Sequence, residues 1–318
     1  MADIKTKVKH PLACTMETGV ENLKRLNLNT EGGLQMNLET GQSPGGPHCN
    51  NIKDFYEIMT SGHSPMGKST GSVKGWRVEN KYVCDDQALR LRLNIAAIEM
   101  DFRQVCIDRY IKYVDQASRL PHLKKVNMHG APKRWVTETQ IYGQEGDYEL
   151  QIEAIKQIAN FAGDHGIEIT LENTNLNWDG IPDDISGEVV NWSRRNRYFG
   201  ESPEEWIQMS EDVNMPNVSL CLDSAHAATY AQMFSDHDKR TATMMTFLSR
   251  PDLIGHVHWN DQFLYDLRGR PDYHGLIGSA SLPIEFHRKI KSLDATLLLE
   301  HFYSIEELEK ELTFIGNL

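Results

Sequence analysis

Apolar side chains are spaced most regularly in the second half of the chain. Four short apolar runs recur there, each ending in polar residues: IEITLENTN over 167–175, VSLCLDSAH over 218–226, LIGHVHWND over 253–261 and TLLLEHF over 296–302. Each is rich in Leu or β-branched residues and nearly continuous in its apolar part. That is how a strand buried on both faces of a parallel sheet reads. Helical spacing occupies the intervals. Residues 148–162 place Leu150, Ile152, Ile155, Ile158 and Phe161 mostly on one face. Residues 203–213 follow Ser202 as N-cap, with Pro203 at N1 and Glu205 at N3. Residues 283–292 and 304–313 also read as helices, and Ser304 with Glu307 fits a capping box.

Upstream, KKVNMHG (124–130) predicts a further strand, preceded by a long amphipathic helix over about 86–118. Three weaker candidates, HPLACTM (10–16), GLQMNLE (33–39) and FYEIMTSGH (55–63), bring the strands to the number that closes a (β/α)8 TIM barrel. Strand alternating with helix implies a parallel α/β fold. The whole chain, 1–318, is read as one such barrel domain with insertions at about 40–54, 64–85 and 176–201. Loops this long are uncommon unless they serve function. The last follows the strand ending in Glu172 and carries Trp178, Trp192, Arg194, Arg195 and Arg197. It is predicted to cover the active face.

Composition narrows the classes. A chain of 318 residues, 40% hydrophobic, suits a large core that needs no disulfide. The net charge of -12 argues against nucleic acid or an anionic membrane as a bulk-charge partner. Five scattered cysteines with no CxxC make a disulfide framework or cysteine zinc site a poor fit. The N-terminal MADIKTKVKHPLACTM lacks an apolar h-region, and no run approaches the length of a membrane helix, so a cytoplasmic location is expected.

The candidate chemistry lies at the strand ends. Glu172, Asp223, His258 and Glu300 each close one of the four clear runs. Any one of them could be a loop residue or a helix cap. Four on four strands of a closed barrel would converge near its axis, on the face where barrel enzymes keep their sites. Three carboxylates brought together repel unless a cation lies among them. Oxygen-rich donors with one imidazole favour Mn2+, with Mg2+, Co2+ or Zn2+ also compatible. A second layer is expected from His226, Asp261, Asp272 and His274, and from His63 and His129 at earlier strand ends. His256, His287 and His301 read as hydrogen-bonded core or surface histidines.

The ordered run LENTN, LCLDSAHA, HVHWND, DYHGLIG and LLLEHF resembles the xylose-isomerase-like TIM-barrel superfamily, which includes sugar isomerases and epimerases and endonuclease IV. The resemblance covers about residues 120–318. It implies that Glu172, Asp223, His258 and Glu300 are metal ligands and that His226 helps bind substrate hydroxyls. It also implies that Glu172 and Glu300 move protons on opposite faces of a sugar. Endonuclease IV uses a richer set resembling His63, His129, Glu172, Asp223, His226, His258, Asp272, His274 and Glu300 to hold three zinc ions. Many sugar isomerases share the DxH segment. This chain departs from the common GxG after that segment, reading Gly278-Ser279-Ala280.

Residues 62–69, GHSPMGKS, match the P-loop pattern, but TGSVKGW after them is a poor helix start. A Gly-rich βα loop is expected instead, with Lys68 available to a substrate anion. The leading expectation is a metal-dependent isomerase or epimerase of a small polyhydroxy carbonyl compound, acting through an enediolate, with Trp178 as a candidate wall for a sugar face. The alternatives are a lyase or dehydratase of the same superfamily, an endonuclease IV-like zinc phosphodiesterase acting on abasic DNA, and a barrel without catalysis. A homo-oligomer is compatible with each.

Overall fold

A computed structural model describes residues 6–8, 16–32, 57–64, 92–136, 142–178, 194, 196–301 and 304–318. Strands β1 (Thr6–Val8), β2 (Asn29–Gly32), β3 (Met59–His63), β4 (Lys125–His129), β6 (Glu168–Glu172), β8 (Val218–Asp223), β9 (Ile254–Trp259) and β10 (Thr296–Leu299) form a closed ring. Every neighbouring pair in it is parallel, and β1 pairs with β10 to complete the circuit. The helices are α1 (Met16–Leu26), α2 (Met100–Ser118), α3 (Tyr148–Asp164), α4 (Pro203–Val213), α5 (Ser224–Ala231), α6 (His237–Thr246), α7 (Ile284–Ser292) and α8 (Ile305–Gly316). A short antiparallel pair, β5 (Pro132–Arg134) with β7 (Arg197–Tyr198), sits outside the ring.

The ring strands alternate more strictly than the apolar runs suggest. Val126, Met128, Ile169, Leu171, Leu220 and Leu222 face outward and join one buried core with Ile155, Trp206 and Phe247 of the surrounding shell. The residues between them point into the barrel and are polar in β4 and β6, while β8 and β10 turn Cys221 and Leu298 inward. Lys125, Glu168 and Ser219 bond one another at the N-terminal end. Asn127 and Thr170 form the next layer, 3.0 Å apart. His129, Glu172 and Asp223 end the strands. The apolar half of the pattern therefore reports helix packing, and the polar half reports the interior.

Local chemistry sets the helix ends. Ser202 caps α4 through Glu205 N at 3.3 Å, and Ser304 with Glu307 closes the expected capping box on α8. Trp206 of α4, fully buried, donates its indole N–H to the Leu171 carbonyl of β6 at 2.8 Å, fixing helix to strand. Gly130 has a specific reason. A Cβ there would lie 2.0 Å from the Phe199 carbonyl, so only glycine lets the chain after β7 pass so close to the end of β4.

Several boundaries differ from expectation. Of the helix predicted over about 86–118, residues 86–91 lie outside the described residues, 92–99 are not helical, and the helix runs from Met100. Asn94 holds the preceding stretch irregular: its amide donates to the Pro132 and Gly143 carbonyls, and its side-chain oxygen accepts from Ala96 N. HPLACTM is not a strand at its described end, because Met16 begins α1; the strand lies earlier, in Thr6–Val8. The second strand is Asn29–Gly32, a polar run that apolar spacing does not mark, while GLQMNLE lies outside the described residues. FYEIMTSGH becomes a strand from Met59 onward. Helices α5 and α6 were not anticipated. Insertion 40–54, all of 64–85 except Ser64, and 179–193 with Arg195 lie outside the described residues.

Trp206→Ala removes a large buried ring and its hydrogen bond. It should lower the stability to denaturant by about 3–5 kcal/mol. A loss under about 1 kcal/mol would show that α4 is not held to β6 in this way.

Candidate metal and active site

Register brings the strand ends to one level. His129 is paired with Glu172, and Asp223 with His258, while Glu300 follows directly after β10. One donor atom from each of Glu172, Asp223, His258 and Glu300 lies within 4.8 Å of the others, and all are buried. His258 Nδ1 is 3.0 Å from Glu172 Oε1, 3.0 Å from Glu300 Oε2 and 3.8 Å from Asp223 Oδ2. The structure therefore brings together the four residues singled out first.

Two further donor groups flank this one. His63, His129 and Glu172 form the first, with His63 Nε2 3.4 Å and His129 Nε2 3.0 Å from Glu172 Oε2. Asp223, His226 and His274 form the second. Asp272 ties it together, 3.3 Å from His226 Nε2 and 3.1 Å from His274 Nε2. His274 Nδ1 also meets the Glu300 carbonyl at 2.8 Å. Trp178 donates its indole N–H to the Thr229 carbonyl at 2.9 Å, and Arg270 covers its ring. Lys68 lies outside the described residues.

Asp223 does two jobs. Its Oδ1 caps α5 by accepting from His226 N at 2.8 Å. Its Oδ2 faces the cluster, buried and without a hydrogen-bond partner among the described residues. A helix cap and a ligand position are therefore not alternatives here. Asp261, expected in the second layer of the site, instead staples the loop after β9. Its carboxylate accepts from Gly278 N and Ala280 N at 2.9 Å and from Leu282 N at 3.1 Å. That is how Gly278-Ser279-Ala280 holds the segment bearing Asp272 and His274 without GxG. His287 and His301 are buried and bonded, to the Trp259 indole and to Glu311.

Three contributors escaped the sequence reading. Asn127 donates to Glu172 Oε2. Asn173 accepts from Asp223 N at 2.7 Å, and its carbonyl meets His226 Nδ1 at 2.8 Å. Asn127 was detectable, two residues before His129 and so on the same strand face. Glu31 of β2 lies inside the barrel beneath the donors, fully buried. Its strand has no apolar signature.

Burial alone would raise the Glu172 carboxyl, but the His129 and His258 imidazoles outweigh it and hold it well below the usual carboxylate range. Burial would lower His226, yet Asp223, Asp272 and Glu172 push it up to about 10. His258 is also pulled down by burial, but the Glu172 and Glu31 carboxylates push it well above its ordinary value; the Cys221 thiol beside it, itself pushed up by burial, carries no charge near neutral pH. His129 goes the other way: burial takes it to about 4 despite Glu172. The cation-free protein thus balances its carboxylates with protons on His226 and His258. The donor chemistry and the unpartnered Asp223 Oδ2 fit a divalent cation, with Glu172, Asp223, His258 and Glu300 able to hold it.

Residues 82–317 match the family model described as the xylose isomerase-like TIM barrel, and the chain belongs to that family. Among solved structures it is similar to a D-tagatose 3-epimerase-like protein, with TM-score 0.60 and 18% identity over 100% of this chain and 98% of the other. It is also similar to D-psicose 3-epimerase, with TM-score 0.58 and 14% identity over 100% and 97%. The apo form of 3-keto-D-glucoside 4-epimerase from E. coli gives TM-score 0.54 and 12% identity over 99% and 100%. At these identities the likeness is one of fold. No curated protein matches the sequence significantly. No helix among the described residues is long and apolar enough to cross a membrane.

Because His258 carries a proton before a cation arrives, uptake must release it. Calorimetry of Mn2+ binding near neutral pH, in buffers of differing ionisation enthalpy, should show at least about one proton released per ion. Affinity should rise with pH toward the raised histidine values and weaken as pH falls. Uptake without proton release would contradict a cation on His258 Nδ1.

Proposed function

We propose that this protein is a divalent-metal-dependent isomerase or epimerase of a sugar or related polyhydroxy carbonyl compound. The observation that carries the reading is the approach of two carboxylates from strands three places apart in the ring, Glu172 and Glu300, to the same nitrogen of His258, each at 3.0 Å. The epimerase fold of the structural neighbours supports it.

Glu172, Asp223, His258 and Glu300 would hold the cation, with Mn2+ the ion best suited to such donors. When bound, it would polarise a substrate carbonyl and acidify the adjacent C–H. The remaining chemistry is proton transfer by this chain's own groups. Glu172 or Glu300 takes the proton at a carboxylate oxygen, leaving an enediolate, and the other or the same carboxylate returns it. His226 is oriented through Nδ1 by the Asn173 carbonyl, and its Nε2–H, which faces Asp272 in the free protein, would turn to a substrate oxygen that gains negative charge. Asn127 and the His63–His129 pair keep Glu172 in place. A lyase or dehydratase would share the first proton abstraction and differ only in what leaves.

A second reading has one observation in its favour. The donor groups on either side of the central four suit a cluster of zinc ions and hydrolysis of a phosphodiester, as in endonuclease IV. The acidic chain opposes a DNA partner. So does Arg194, which pairs with the buried Glu201 at 2.6 Å and is not free for phosphate.

Glu300→Gln should fold and lose the exchange of solvent deuterium into a ketose substrate by at least about a hundredfold, the lower range of general acid–base contributions. Retained exchange would remove Glu300 from the mechanism. Metal analysis after Mn2+ or Zn2+ loading should give about one ion per chain. Three zinc ions with cleavage of an abasic-site duplex would replace the isomerase reading by the nuclease one.

A further inference from the structure

A neutral imidazole offers one lone pair, so a histidine that binds a cation through Nδ1 must carry its proton on Nε2. His258 Nδ1 faces the Glu172, Asp223 and Glu300 carboxylates. Its Nε2 points down into the barrel, within ion-pair distance of Glu31 Oε2 at 3.1 Å, and neither atom has a hydrogen-bond partner elsewhere among the described residues. The other Glu31 oxygen lies 3.2 Å from His256 Nε2, and His256 Nδ1 is 2.6 Å from Thr296 Oγ1. Glu31, His256 and His258 are all fully buried. A carboxylate in such a place is costly as packing, and an apolar residue of similar size would serve that purpose better. The ladder beside it is also irregular, with Thr60 of β3 left over between the Thr30–Met59 and Glu31–Ser61 pairs. The register of β2 against β3 shifts between Thr30 and Glu31, the kind of bulge that re-aims a side chain.

We propose that Glu31 is a positioning residue: it accepts the Nε2 proton of His258, fixes the ring and its tautomer, and so presents Nδ1 to the cation. The role rests on the reading that Glu172, Asp223, His258 and Glu300 take up a divalent ion. His256 and Thr296 hold Glu31 from the far side, so the chain of contacts runs from β10 through β9 and β2 back to β9. Carboxylates behind a ligating imidazole raise its basicity and restrict its rotation, and their loss costs roughly 10–100-fold in metal affinity. Cys221 shares the neighbourhood of His256 and His258. If His258 Nε2 instead joined Cys221 and His256 around an ion of their own, Glu31 would have no proton to accept.

The test uses Co2+ with the full-length protein, following ligand-field absorption and hyperfine-shifted proton resonances. The wild type should show a shifted, slowly exchanging N–H signal that disappears in D2O and in His258→Gln. Glu31→Gln should bind Co2+ roughly 10–100-fold more weakly and lose or broaden that signal. Glu300→Gln, which removes a direct donor, should weaken binding while keeping the signal. Unchanged affinity and signal in Glu31→Gln, with Glu300→Gln weakened, would overturn the role of Glu31 alone. No Co2+ uptake by the wild type would overturn the metal reading, and the role of Glu31 with it. A thiolate charge-transfer band, or a wild-type complex without the N–H signal, would place Nε2 on the metal and overturn the proposal. That wild-type measurement can overturn the proposal even if Glu31→Gln does not fold.

Discussion

Mutual repulsion among carboxylates drawn to one end of a closed ring is the constraint around which this barrel is organised. Glu172, Asp223 and Glu300 are buried together where water cannot screen them. Two kinds of positive charge can answer them, protons on the neighbouring imidazoles or a metal ion, and the same side chains serve both. His226 and His258 hold protons because the acids surround them, whereas His129 stays neutral because burial dominates there. The site is therefore poised between two charge states that compete for the same lone pairs.

The rest of the fold keeps those side chains from relaxing away from one another. Trp206 ties the helix shell to the backbone beneath Glu172, and Asn173 bonds both the Asp223 backbone and His226. The Asp261 carboxylate fixes the loop that brings Asp272 and His274 over the mouth. The close pass of Phe199 over Gly130, with β5 against β7, returns the long excursion after β6 to the rim at a fixed place. Hydrophobic stabilisation is concentrated between sheet and helices, and the interior of the ring is given over to polar contacts.

How much of this the sequence disclosed follows from what apolar spacing can encode. β6, β8, β9 and β10 were legible because their outward residues pack under helices and their last residues carry charge. β4 was legible for the same reason. β1 and β2 were not, since Thr6–Val8 and Asn29–Gly32 are short and largely polar. Glu31 went unnoticed because it lies in such a strand, and Asn127 because one amide in an apolar run looks like noise until period two is applied. The four central donors could be named because each ends a run. The loop chemistry of Asp261 could not, because its partners are backbone amides, which no side-chain pattern reports.

Glu172 faces two ways: one oxygen toward His63 and His129, the other toward His226 and His258. The central four donors suit a single ion; were a second to lodge on the far side of Glu172, the two could not be acquired independently. The first arrival would draw the shared carboxylate toward itself, orienting it for a neighbour while adding a repulsive charge a few ångströms away. Stepwise loading would then be cooperative, with a sign set by which of these two effects is larger.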